Sequence, residues 1–75
     1  GVTVKAFPNP SASEFTITLN SATVFGYEIF DVAGSRLLAG DANREVSLGS
    51  NLSPGIYFVK VKVKNNSATL KIVKQ

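Results

Sequence analysis

The side chains that most often carry enzyme chemistry are scarce in this sequence. Histidine and cysteine are absent, so neither nucleophile–histidine pairs nor the usual zinc ligand sets are available. The five carboxylates are scattered rather than spaced as a calcium loop, and the closest pair, Glu28 and Asp31, is predicted to point to opposite faces of a strand. The serines fall in predicted turns, where hydroxyl groups bond to nearby backbone. We therefore expect no enzyme activity, no metal site and no cofactor.

The lysines are the remaining group with a possible binding role. Up to residue 55 the chain has three basic and five acidic residues, whereas residues 56–75 contain five lysines and no acid. This concentration is typical either of a docking surface for an acidic partner, an anionic lipid or a polysaccharide, or of a solvated strand face that resists aggregation. Nucleic acid is not favoured, because aromatic residues that could stack on bases are nearly missing among the lysines; only Phe58 qualifies, at the end of the row. The lysines are Lys60, Lys62, Lys64, Lys71 and Lys74.

A predicted β-hairpin carries these lysines. From Tyr57 to Lys64 apolar and polar residues alternate with period two, as in a half-buried strand. Asn65 and Asn66 are predicted to form a two-residue turn, which makes Val63 face Ala68. This register places the valines on one face and the outward lysines on the other. Lys74 then lies opposite Tyr57 on the inward face, and its amine is expected to reach the rim of the core.

The rest of the chain alternates in the same way and contains no helical period. Strands are predicted over residues 2–7, 14–20, 24–31, 36–39 and 44–48, with turns at 8–10, 20–23, 31–34 and 40–43. Phe15, Ile17 and Leu19 are expected to face inward, and Leu52 is expected to plug the core. This pattern predicts an all-β fold of about seven short strands in two antiparallel sheets, an immunoglobulin-like Greek-key sandwich.

The length of 75 residues indicates one domain, residues 1–75. No disulfide can form, and no apolar run approaches the roughly 18 residues of a membrane span, so no transmembrane segment is expected. The chain begins at Gly1 rather than at methionine, and we expect it to be a fragment of a larger secreted protein.

Four short motifs follow one another along most of the chain. They are Phe7-Pro8-Asn9-Pro10 followed by Glu14-Phe15-Thr16-Ile17; Ile29-Phe30-Asp31 with Gly34; Leu52, Gly55, Tyr57, Val59, Lys60 and Val61; and Lys71-Ile72-Val73-Lys74. Their order resembles the type A C-terminal sorting domain of the type IX (Por) secretion system of Bacteroidota. One departure is that Ser35 separates Gly34 from the basic Arg36, which the family usually places directly after the glycine.

The resemblance implies a sorting signal that is itself not catalytic. Such a domain directs a covalently linked N-terminal passenger across the outer membrane and is then removed by a sortase-like peptidase. Its partners are the outer-membrane translocon or shuttle and that peptidase. The passenger passes through the periplasm and ends anchored at the cell surface or released outside the cell.

The hypothesis is that the closing hairpin, especially residues 55–57 and 71–75, is the part that the translocon recognises. Pro8-Asn9-Pro10 is either a corner that shapes the first two strands or a further recognition element. The candidate partner-binding residues are Pro8, Asn9, Pro10, Gly34, Gly55, Tyr57, Lys60, Lys62, Lys71 and Lys74.

Two other functional classes stay open on the sequence alone. A carbohydrate-binding or adhesive module needs exposed aromatic residues on one sheet face, for which Phe30 and Phe58 are the candidates. A structural spacer would stabilise the end of a secreted enzyme without binding anything.

Overall fold

The computed structural model describes residues 3–20 and 24–75. These residues contain seven strands and no helix. No helix in these two ranges is long and apolar enough to cross a membrane. The predicted start of the first strand at Val2 and part of the predicted turn at 20–23 lie outside the described residues. The strands are β1 (Val4–Phe7), β2 (Phe15–Leu19), β3 (Val24–Phe30), β4 (Arg36–Asn43), β5 (Glu45–Leu48), β6 (Gly55–Val63) and β7 (Asn66–Lys74).

The strands form two antiparallel sheets, as the alternation predicted. One sheet has the order β1-β2-β5 and the other has the order β4-β3-β6-β7. Three pairs of neighbours in sequence are paired in space, and β6 returns to pair with β3 after the chain has passed through β4 and β5. This return is the Greek-key connection of immunoglobulin-like sandwiches, which confirms the predicted fold class.

The core lies between the two sheets and is made by the inward positions of the alternating pattern. Phe15, Ile17 and Leu19 of β2 are all buried, as predicted, and Leu52 packs against the core from the connection before β6. In the wider sheet β3, β6 and β7 contribute buried residues to this layer and β4 packs partly buried residues against it, so the two sheets cannot separate without exposing it. The buried apolar residues are Phe15, Ile17, Leu19, Phe25, Ile29, Tyr57, Val59, Val61, Val63 and Ile72.

The turn predicted at residues 40–43 was wrong, because β4 continues through it to Asn43. Tyr27 lies opposite Gly40 on β3, and a Cβ at Gly40 would come within 2.6 Å of the Tyr27 hydroxyl oxygen. The tyrosine ring thus covers the glycine, a cross-strand arrangement that allows a glycine inside a strand. The chain instead bends at Arg44, which has a φ of 74° and joins β4 in one sheet to β5 in the other.

The predicted hairpin exists, but its turn lies one residue earlier than expected. Lys64 and Asn65 form the loop, Lys64 has a φ of 54°, and Val63 pairs with Asn66 rather than with Ala68. Every predicted partner is therefore displaced by two residues, so Lys74 lies opposite Gly55 and not Tyr57. A displacement of two keeps each side chain on its predicted face, because strand side chains alternate with period two.

Candidate functional site

The segment around Pro8-Asn9-Pro10 covers the outer edge of β7. The Asn9 side chain donates to the Lys71 carbonyl oxygen at 2.9 Å and accepts from the Val73 amide at 3.0 Å. Ser11 continues this pairing, since its amide donates to the Val73 carbonyl oxygen and its own carbonyl oxygen accepts from the Gln75 amide, both at 2.8 Å. We call these contacts of Asn9 and Ser11 with residues 71–75 the terminal seam.

The terminal seam satisfies backbone groups that an edge strand would otherwise leave unpaired. An asparagine amide has one acceptor and two donors, so it can imitate a neighbouring strand at one position. Pro8 and Pro10 are exposed on either side of Asn9 and have no amide hydrogens to offer. The prolines therefore direct the chain along β7, while Asn9 and Ser11 make the bonds.

Lys74 is the second anchor of the chain end, and it is buried with 5% of its surface exposed. Its Nζ donates to the carbonyl oxygen of Ser13 and, at 2.7 Å, to that of Gly49. The expectation that this amine reaches the rim was wrong. The register that places Lys74 opposite Gly55 leads the amine to two carbonyl groups that compensate its removal from water.

Gly49, which provides one of these carbonyl groups, has a φ of 94°. A Cβ at this position would lie 2.5 Å from the Phe15 ring. Any other residue would therefore push against the core directly beneath the lysine amine. Gly49 and Phe15 together keep the carbonyl oxygen aimed at Lys74.

Gly55 and Tyr57 shape the entry into β6. The Tyr57 hydroxyl donates to the Ser53 carbonyl oxygen at 2.6 Å, which ties the ring to the preceding turn. Gly55 has a φ of 155°, and a Cβ there would lie 3.9 Å from the same ring. Tyr57 is buried with 7% of its surface exposed, so its role in the folded protein is internal.

The outward side chains of the four-stranded sheet form a surface that we call the outer face. Phe58 of β6 lies between Phe30 on β3 and Lys71 on β7. In the next row, Lys60 lies between Glu28 and Thr69. Phe58 is 37% exposed, so an aromatic surface and the lysines are accessible together.

The third row of the outer face places Lys62 between Gly26 and Ser67. Ile56, at the opposite end of β6, is 43% exposed and lengthens the apolar part of the face beside Phe58. Lys62 and Lys71 are exposed, whereas Lys60 is half-buried. Along β6 the face therefore changes from apolar to basic.

Acidic side chains on the outer face are confined to β3 and β4. Glu28 accepts from Arg36 at 3.2 Å, and Asp41 lies beside Gly26. The missing side chain of Gly26 leaves an open hollow between these groups and Lys62. The half of the outer face formed by β6 and β7 contains only basic charges. The outer face therefore carries charges of both signs on β3 and β4 and positive charge on β6 and β7.

The structure therefore divides the ten candidate residues by environment. Lys60, Lys62 and Lys71 share the outer face, and the residues from Pro8 to Pro10 border it at Lys71. Tyr57 and Lys74 are buried, and Gly55 lies next to the Tyr57 ring. Gly34, with a φ of 89°, lies in the β3–β4 turn, where the Asp31 carboxylate accepts from two backbone amides.

Sequence reasoning missed the backbone groups that receive these side chains. Ser11 is fully buried, and Ser13, Gly49 and Ser53 contribute only carbonyl oxygens. A carbonyl acceptor has no residue-type signal, so no motif could have identified it. No group of three histidine, cysteine, aspartate or glutamate side chains that could bind a metal occurs in residues 3–20 and 24–75.

The two antiparallel sheets and their Greek-key connection define an immunoglobulin-like β-sandwich domain. The family model of the secretion system C-terminal sorting domain matches residues 5–75, so the chain belongs to this family. It is a sorting domain of the type IX secretion system, and the protein that carries it is exported to the cell surface or the extracellular space.

A curated relative of the chain is the endo-acting ulvan lyase of Formosa agariphila. The two are 30% identical over 67 residues, which is 85% of this chain and 13% of that protein. The chain thus spans a small part of the relative's length.

Proposed function

We propose that a component of the outer-membrane translocon recognises the folded domain through the outer face of β6 and β7. The observation that carries this proposal is the accessible group formed by Phe58, Lys62 and Lys71. An aromatic surface next to lysines suits a partner with apolar and acidic side chains, because the aromatic contact supplies affinity and the charges supply orientation.

The other motif residues support this surface indirectly. Asn9 fixes the backbone at Lys71 and Val73, and Lys74 fixes the end of the same strand through its buried amine. A change at either residue would displace the lysine that the partner contacts. The motif residues Pro8, Asn9, Pro10, Gly55, Tyr57 and Lys74 thus matter to sorting through the shape that they impose.

The later steps of sorting act on the junction between this domain and its passenger. We propose that a sortase-like peptidase removes the domain, after which the passenger is attached to the surface or released. The ulvan lyase relative suggests a lyase as one class of passenger. The domain contributes no catalytic group to that activity in this proposal.

The test is export of a fluorescent reporter that has a signal peptide at its front and residues 1–75 at its end. It would be expressed in a bacterium with a working type IX system and in a translocon-deficient strain. We expect reporter at the surface or in the medium of the competent strain only. Reporter that stays in the periplasm of both strains, attached to a folded domain, would refute the sorting function of this chain.

The recognition surface is tested by a matched pair of double variants. Lys62→Gln with Lys71→Gln removes two charges from the outer face, whereas Lys5→Gln with Arg44→Gln removes two exposed charges elsewhere. Export should fall for the first pair and stay at the original level for the second, with equal melting temperatures. Equal export by both pairs would place recognition elsewhere on the domain.

A second candidate function rests on the exposed Phe58 and the half-buried Phe30, which are cross-strand neighbours on the outer face. Paired aromatic side chains on a sheet face are suited to bind sugar rings. A glycan array would show binding that Phe58→Ala removes if this candidate holds. A spacer role would instead show as a lower melting temperature of the passenger when residues 1–75 are deleted.

A further inference from the structure

The first half of β7 is an open strand edge at one side of the four-stranded sheet. Val73 directs its amide and carbonyl groups away from β6, since Asn9 and Ser11 bind them from outside. Backbone direction alternates with period two, so Ser67 and Thr69 direct their amide and carbonyl groups to the same side. Within residues 3–20 and 24–75 nothing hydrogen-bonds to Ser67 or Thr69 there.

The inner surface next to this edge is also uncovered. The inward residues of β7 change from exposed Ala68 through half-buried Leu70 to fully buried Ile72. Beside the open part lies a depression of about 50 Å³ between the two sheets. The residues that line it are Val4, Val61, Val63, Asn66, Ser67 and Ala68.

We propose that this edge receives an extended strand of a partner protein whose apolar and acidic side chains alternate. The strand would continue the terminal seam, because the chain already pairs Asn9 and Ser11 with the second half of the same edge. Its backbone would bond to Ser67 and Thr69, and its apolar side chains would enter the depression beside Val4 and Ala68. Recognition by strand addition draws affinity from the main chain and specificity from such alternate positions.

The charge of the hairpin determines the chemistry of the partner. Lys62 lies opposite Ser67 on the outer face, and Lys64 is in the adjoining turn. Residues 56–75 contain no acid that could neutralise them, so a second copy of this chain would bring lysines against lysines. Glutamate or aspartate at the outward positions of an incoming strand would pair with both lysines. This inference goes beyond the proposed function, because the isolated domain is expected to bind such a strand whether or not it directs export.

The test uses the isotope-labelled chain, residues 1–75, and a short end-blocked peptide of alternating valine and glutamate. Binding should slow amide exchange at Ser67 and Thr69 and leave exchange at other exposed edges unchanged. The same peptide with lysine in place of glutamate should not bind at equal concentration. A peptide with N-methyl groups at the amides that face β7 should bind about tenfold more weakly, since it lacks main-chain donors.

Two variants at one position test the edge from the side of the protein. Thr69→Pro removes an outward amide, which an edge strand tolerates, and Thr69→Val keeps that amide. The proline variant should lose peptide binding and the valine variant should retain it, while both melt near the original temperature. The N-methylated peptide provides the same information if the proline variant fails to fold.

Several results would overturn the proposal. Equal peptide binding by both Thr69 variants, or binding without protection of Ser67 and Thr69, would exclude the open edge. A concentration-dependent dimer that Thr69→Pro abolishes would show that the occupant is a second copy instead. Peptide binding by a domain that supports no export would leave this inference in place and refute the proposed sorting recognition, so the two failures are distinguishable.

Discussion

The two halves of β7 have the same strand geometry and the same partner, β6, but differ in what lies on their outer side. Residues 71–75 are held by Asn9 and Ser11 and by the buried amine of Lys74. Residues 66–70 have the lysine-bearing turn at one end and an open edge along their length. The comparison shows that a short domain can fix one part of a strand firmly while keeping another part available for binding.

The largest effect on the difference between the two halves of β7 is expected when the amine of Lys74 is removed. Lys74→Met keeps most of the apolar stem but removes both hydrogen bonds of the buried amine, so the Ser13 carbonyl oxygen loses this donor and that of Gly49 keeps only the Leu52 amide. We expect a loss of about 2–4 kcal/mol in unfolding free energy, or roughly 10–25 °C in melting temperature for a domain of this size.

Lys71→Met is the matched control for this change. It removes an exposed lysine from the same strand, and its effect should stay within about 0.5 kcal/mol. Equal destabilisation by the two variants, measured by thermal unfolding, would show that the buried amine is not the anchor.

A smaller effect is expected when Asn9, which binds the second half of β7 from outside, is replaced. Asn9→Ala removes two hydrogen bonds to the β7 backbone and should reduce the unfolding free energy by about 1–2 kcal/mol. The amide of Val73 should then exchange with solvent nearly as fast as that of Thr69, which makes the two halves alike. Asn51→Ala, in an exposed turn, is the control and should change neither quantity. Unchanged protection of Val73 would contradict the seam.

The smallest effect should come from the turn that begins β7. Lys64 has a φ of 54°, which costs an L-residue about 1–2 kcal/mol, while glycine adopts it freely at a backbone-entropy cost of about 0.5–1 kcal/mol. Lys64→Gly should therefore stabilise the domain by about 0.5 kcal/mol, as measured by urea unfolding. Destabilisation would indicate that the lysine side chain makes a compensating contact.

Much of the fold could be predicted from the sequence because alternation reports which face of a strand is buried. Phe15, Ile17 and Leu19 are buried as expected, and the two-sheet architecture follows from strands separated by turn residues. The errors occurred where contacts between residues distant in sequence determine the local structure. Tyr27 covers Gly40 and converts a predicted turn into strand, although nothing local distinguishes that glycine from a turn glycine.

The candidate site was predicted less completely than the fold. The motifs indicated the family and the lysines of the outer face. They did not indicate that the amine of Lys74 is buried against backbone carbonyl groups. Its acceptors lie 61 and 25 residues away in the sequence and are backbone groups, which leave no trace in residue type. The hairpin register, which determines where Lys74 points, differed because Lys64 rather than Asn66 entered the turn.

The terminal seam also has a kinetic consequence. Its hydrogen bonds join residues 62 and 64 positions apart, nearly the full chain length, whereas each hairpin joins neighbours in sequence. Contacts that close such long loops form slowly, so the seam should close after the hairpins. Until then Lys71 has no fixed position, and a partner that reads the outer face would meet it only on chains that have finished folding.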